Sequence, residues 1–148
     1  MELPEYIQDI FKRYGWTGKS VKDVSYYTSG LEQEGYPVSE AARDFLSKFG
    51  GFVDIVHPTI NPNIFGKLHF DAVKAAKGIS RGWFEDYERR VGESLTVIGE
   101  SHNGHSTLVM SPSGKVYAVF DGLMRLKGSN YAEALDAIYQ CRETPEIK

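Results

Sequence analysis

One cysteine stands in 148 residues, so no internal disulfide can staple this chain. A lone thiol fits a reducing compartment, where the fold rests on its apolar core. Long hydrophobic runs are missing too. No segment approaches the roughly 20 apolar residues that span a bilayer, and the opening MELPEYIQDIFKRYG has neither a basic leader region nor a continuous apolar stretch. The expectation is a cytoplasmic chain with no membrane partner. No Lys/Arg run exceeds the pair Arg89-Arg90, and 17 basic against 20 acidic residues leave a net charge of -3. Phosphate-backbone binding needs concentrated positive charge, so no direct nucleic-acid partner is expected.

Signatures of common chemistries are also lacking. The glycines fall between apolar segments and form neither G-x-G-x-x-G nor a complete phosphate loop; WTGKS at 16–20 has only the tail of one. Ser101, Ser106 and Ser111 stand outside any G-x-S-x-G elbow. Cys141, near a helix end, reads as an ordinary core or boundary thiol. No Cys pair or H-E-x-x-H helix offers a zinc site. The expectations are no catalytic residue, no cofactor and no metal ligand.

What remains is an ordinary globular composition, of a length that suits one domain over 1–148. Leu3, Tyr6, Ile7, Ile10, Phe11 and Tyr14 recur on one helical face, with Gly15 as a stop. A short helix is expected in SYYTSGLEQEG. A clearer one lies in PVSEAARDFLSKFGG, where Val38, Ala41, Ala42, Phe45, Leu46 and Phe49 form a stripe. FVDIV and KLHF read as strands around the loop PTINPNIFG. Asp71 and Ser80 are candidate caps, the second for a helix turning Trp83, Phe84, Tyr87 and Val91 inward before Gly92. LTVIG, TLVMS, KVYAVF and LMRLKG then form an antiparallel meander, with SPSG at 111–114 as a tight turn. Asn130 to Glu133 resemble a capping box opening a last helix with Ala134, Leu135 and Ile138 inward. An α+β fold, helices on one face of a mainly antiparallel sheet, buries these stripes together.

Two stretches invite a functional reading. SHNGH at 101–105 holds His102 and His105 between two strands. As a metal site it needs His57, His69 or Asp121 from elsewhere; as a nuclease or hydrolase it needs a base and a place for substrate. A polar turn requires neither. Glu85, Asp86 and Glu88 beside Arg89 and Arg90 read as a solvated helix surface, or as an acidic rim that steers a basic partner.

The ordered phrases YGWTGKSV, GLEQEGYPVSEAARDFLSKFGGF, LHFDAVKA, YERRVGESLTVIGE and STLVMSPSGKVYAVFDG resemble the SUKH superfamily, specifically its third subfamily of bacterial immunity proteins. That resemblance implies a small cytoplasmic α+β protein that binds the C-terminal domain of a cognate toxin, often a nuclease or deaminase, in a 1:1 complex. It brings no catalytic residue. Phe45, Leu46, Phe49, Gly50, Gly51, Gly99, Gly114 and Tyr117 look like scaffold. The NPNIFGK loop and the SHNGH turn are the expected specificity elements, so Asn63, Phe65, His102, Asn103 and His105 join Glu85, Asp86 and Glu88 as candidate partner-binding residues. A general regulatory binding module, and a small hydrolase using His102 and His105, are the alternatives. Self-association is left open.

Overall fold

The computed structural model describes residues 2–19 and 23–148; Ser20 and Val21 of the YGWTGKSV phrase lie outside them. Helix α1 (Glu5–Lys12) follows Pro4, whose fixed φ suits a helix start, and buries Ile7 and Phe11. Tyr6, read as part of that stripe, instead sits at the rim, where its hydroxyl is hydrogen-bonded to Asp136. Helix α2 (Ser25–Gln33) buries Thr28 and Leu31. Helix α3 (Glu40–Phe49) starts where the Ser39 hydroxyl accepts the Ala42 N–H at 3.1 Å, and it buries Ala42, Phe45, Leu46 and Phe49. Phe45 and Phe49 meet Phe70 edge-on at 5.1 and 5.7 Å, an arrangement that sets ring edges against ring faces.

Strands β1 (Ile55–Pro58) and β2 (Phe65–Leu68) pair antiparallel as a hairpin. Its strands are offset from the sequence reading: β1 starts at Ile55 and not Phe52, and β2 starts at Phe65, inside the expected loop. Helix α4 (Ala72–Ala76) is capped by Asp71, whose Oδ1 accepts the Lys74 N–H at 3.1 Å. Helix α5 (Arg81–Val91) is capped by Ser80 and buries Phe84 and Tyr87. Trp83 does not turn inward. It is 43% exposed and stacks on Tyr87 one turn along, at 6.2 Å and 17° between planes. One helical turn thus places the indole over the margin of the stripe.

Strands β3 (Thr96–Ser101), β4 (Ser106–Met110), β5 (Val116–Phe120) and β6 (Leu123–Gly128) form a four-stranded antiparallel meander in sequence order. Helix α6 (Tyr131–Tyr139) opens on the Asn130 half of the expected box: Asn130 Oδ1 accepts the Glu133 N–H at 2.9 Å, while Glu133 Oε2 accepts from the Asn130 side-chain amide at 3.4 Å, and Ala134, Leu135 and Ile138 are buried. The fold is therefore α+β, with helices packed against an antiparallel sheet. One detail departs from the sequence reading. Consecutive residues are buried in the middle strands, Val97 with Ile98 and Leu108 with Val109 and Met110. Since successive side chains point to opposite faces, both faces of this sheet are covered, not one.

Both edges of the meander are occupied. At β3, His69 exchanges backbone hydrogen bonds with Glu100, each 3.0 Å, which joins the hairpin to the larger sheet. Gly99 makes this approach possible, because any Cβ there would collide with the His69 carbonyl oxygen. At β6, the Leu126 N–H donates to Pro145 and the Ile147 N–H to Met124, so the final segment runs along the strand. An occupied edge cannot template pairing with another chain.

Candidate functional site

SHNGH is a single 3-10 turn linking β3 to β4, over His102–Gly104. His102, Asn103 and Gly104 all have positive φ, at 54°, 59° and 85°. Left-handed backbone costs an L-residue about 1–2 kcal/mol, and two consecutive non-glycine residues adopt it here. The turn persists because β2 and β1 hold it. Gly66 lies so close that a Cβ there would stand 3.3 Å from the His102 Cα and 2.6 Å from the His57 Nε2. His57 Nε2 in turn accepts the His102 backbone N–H at 3.1 Å. The turn is thus fixed rather than merely solvated, and His102 is half-buried within it.

The chemistry open to the four histidines follows from their ring nitrogens. His57 donates from Nδ1 to the Pro58 carbonyl at 2.8 Å while Nε2 accepts from His102, which defines a neutral tautomer. His69 accepts the Asp71 N–H on Nδ1 at 3.1 Å and gives its Nε2 proton to Glu100 Oε1 at 2.7 Å. Neither ring keeps a nitrogen for substrate. His102 bonds Ser101 Oγ through Nδ1 at 2.9 Å. Its pKa is lowered to about 4, by burial first and then by His57, Lys127 and His105. His105 is exposed and its ring lies near-parallel to Phe120, 6.4 Å away. His102 and His105 therefore do not converge. Asp121 borders a groove of about 340 Å³ with His105, not with His102. Among the described residues, no group of three His, Cys, Asp or Glu side chains is arranged to hold a metal ion.

Among the described residues, half of the large exposed apolar side chains lie in the hairpin and just before it: Val53, Val56, Ile60, Ile64 and Phe65. Val56 faces Lys67 and Pro58 faces Phe65 across the strands, so these four share the outward side while Ile55, His57 and Leu68 point in. Phe65 is 63% exposed and borders a groove of about 400 Å³ with Tyr6, Ile10 and Tyr139. Asn63 is exposed in the turn, its N–H bonded to Asn61 Oδ1 at 2.9 Å. The fold thus sets strand β2, which begins with Phe65, against the turn of His102 and Asn103.

The acidic residues of α5 behave differently. Asp86 pairs with Arg89 and Arg90, each at 2.6 Å, and Glu88 accepts the Leu95 N–H at 2.9 Å. Both carboxylates are spent on their own chain, leaving Glu85 as the exposed acid of the three. Cys141 is an exposed thiol just past α6, not a core one. The sequence reading missed Ile60, which is 91% exposed, and the cations Arg125, Lys127 and Arg142, which share a groove with Ile60 and His102. They are scattered over more than 80 positions, and no local pattern joins them.

The architecture is that of a small α+β protein with an apolar hairpin braced against a strained turn. The chain belongs to the SUKH-3 family: the model of the SUKH-3 immunity protein matches residues 3–140. No curated protein and no solved structure matches it. No helix among the described residues is long and apolar enough to cross a membrane.

Proposed function

We propose that this chain is a non-enzymatic immunity protein of the cytoplasm that binds one cognate toxin domain, a nuclease or deaminase, and silences it by occlusion. Family membership over residues 3–140 is the observation that carries this reading. The exposed apolar residues of the β1–β2 hairpin support it, since apolar side chains at a rim anchor protein interfaces. So does the engagement of both ring nitrogens of His57 and His69, which removes them as general bases. Occlusion asks nothing of bond chemistry: a buried area of roughly 1,200–2,000 Å² suffices to cover an active cleft.

The test is co-expression with the toxin domain encoded beside this gene. Expected are rescue of growth and co-purification as a complex with one copy of each chain. Turnover of a substrate by the purified protein alone, abolished by His105→Ala with the fold intact, would overturn the proposal.

A further inference from the structure

Between the hairpin tip, the 3-10 turn and the end of α6 lies a groove of about 500 Å³ whose walls include Ile60, His102, Arg125, Lys127 and Arg142. Arg125 and Lys127 are two apart on β6, which sends both side chains to one face. Two of the cations are held by their own chain. Arg125 donates to the Thr144 carbonyl at 2.7 Å, and Arg142 lies 3.0 Å from Asp136 Oδ2. A guanidinium has five N–H donors, so each arginine retains donors beyond these contacts. Lys127 is the unusual member: half-buried, its ammonium makes no ion pair or hydrogen bond among the described residues. Burial, and after it the charges of Arg125 and Arg142, hold its pKa below the ordinary lysine value. Glu143 on the groove wall is a single carboxylate beside three cations.

A half-buried cation with no ion pair of its own, held beside two others, is costly to a fold, and Lys127 is that cation here. The concentration of cations here stands against a chain whose net charge is -3. A partner that brings negative charge relieves the cost, and Ile60 at the rim supplies apolar contact beside it. We propose that this groove receives a carboxylate-bearing segment of the toxin domain, with an apolar side chain of that segment against Ile60. The inference rests on the toxin-binding reading above. Three cations in one compact groove fit one or two carboxylates on a protein loop, whereas a nucleic-acid backbone needs a longer cationic track. Charge complementarity of this kind acts chiefly on the rate of encounter.

The test measures association and dissociation of the toxin domain encoded beside this gene, at low and high salt. Wild type is compared with Lys127→Gln/Arg142→Gln and with Ile60→Ser. The double variant is expected to lower the association rate at least about tenfold and to flatten its salt dependence, while Ile60→Ser speeds dissociation. Because the Lys127 ammonium makes no ion pair, Lys127→Gln leaves the melting temperature unchanged or higher. Arg142→Glu alone, at an exposed position, gives the same readout if the double variant does not fold. Unaltered kinetics in all variants, beside a tight wild-type complex, overturn the groove and leave the toxin-binding reading standing. Absence of a wild-type complex overturns both. A single-stranded DNA oligonucleotide run in parallel closes the last route: oligonucleotide binding lost in the double variant, with toxin binding intact, assigns the groove to nucleic acid and overturns the proposal.

Discussion

His57 holds His102 by its backbone as well as its ring: Nε2 of His57 accepts the His102 N–H at 3.1 Å while the two imidazoles meet edge-on at 4.6 Å, 64° from parallel. Phenylalanine fills similar space and offers no acceptor. His57→Phe therefore leaves a half-buried N–H without its partner at the strained turn, and the expected loss is about 1–3 kcal/mol by urea denaturation. A stability equal to wild type would remove His57 from its bracing role.

The same pair sets a pH dependence. Burial lowers the pKa of His57 below 6.5, against a smaller opposing effect of its Pro58 hydrogen bond, and that of His102 is lowered to about 4. In the unfolded chain both rings take up protons near their ordinary value, so between about pH 6.5 and about pH 4 the unfolded state binds more protons than the folded one. Stability is full above that window and falls as pH drops through it. Thermal melts across the window should show a declining midpoint, with a shallower decline in His57→Phe. A flat profile in wild type refutes the neutral-histidine assignment.

Gly99→Ala tests the seam between hairpin and sheet. Its Cβ would strike the His69 carbonyl oxygen, a backbone atom that cannot rotate away. The variant should lose about 1–3 kcal/mol, and hydrogen exchange at the amides of His69 and Glu100 should accelerate more than at β4 and β5. Uniform acceleration across all four strands would mean that the seam is not a separate unit.

Removal of residues 144–148 uncovers the β6 edge by deleting the partners of Leu126 and Met124. Exposed edges template strand pairing between chains. The truncated protein should elute earlier in size-exclusion chromatography as its concentration rises, and full-length protein should not share this trend to the same degree. Identical elution of the two would show the edge to be harmless.

Much of the scaffold was legible because local physics decides it. Asp71, Ser80 and Asn130 cap helices where their spacing to apolar stripes places them. The meander strands follow from short apolar or alternating runs separated by turn residues. Trp83 was misplaced because helical periodicity gives a stripe without its margins. The hairpin strands were shifted because register is set by His57, Gly66 and Leu68 facing inward, a matter of tertiary contact. The candidate surface was read in halves: Phe65 and His102 stood in suspected loops, yet that β2 braces the turn is visible only in three dimensions. Ile60, Arg125, Lys127 and Arg142 meet through folding alone, and no sequence pattern announces them.

Backbone and side-chain hydrogen bonds between His69 and Glu100 clamp the hairpin at its root, and its tip projects Ile60 into solvent. The tip is held by bonds of its own, the Thr59 hydroxyl to the Ile64 carbonyl at 2.6 Å and the Asn63 N–H to Asn61 Oδ1 at 2.9 Å, while Ile60 takes no part in the interior. Substitution at Ile60 therefore changes the exposed surface while the interior stays as it is.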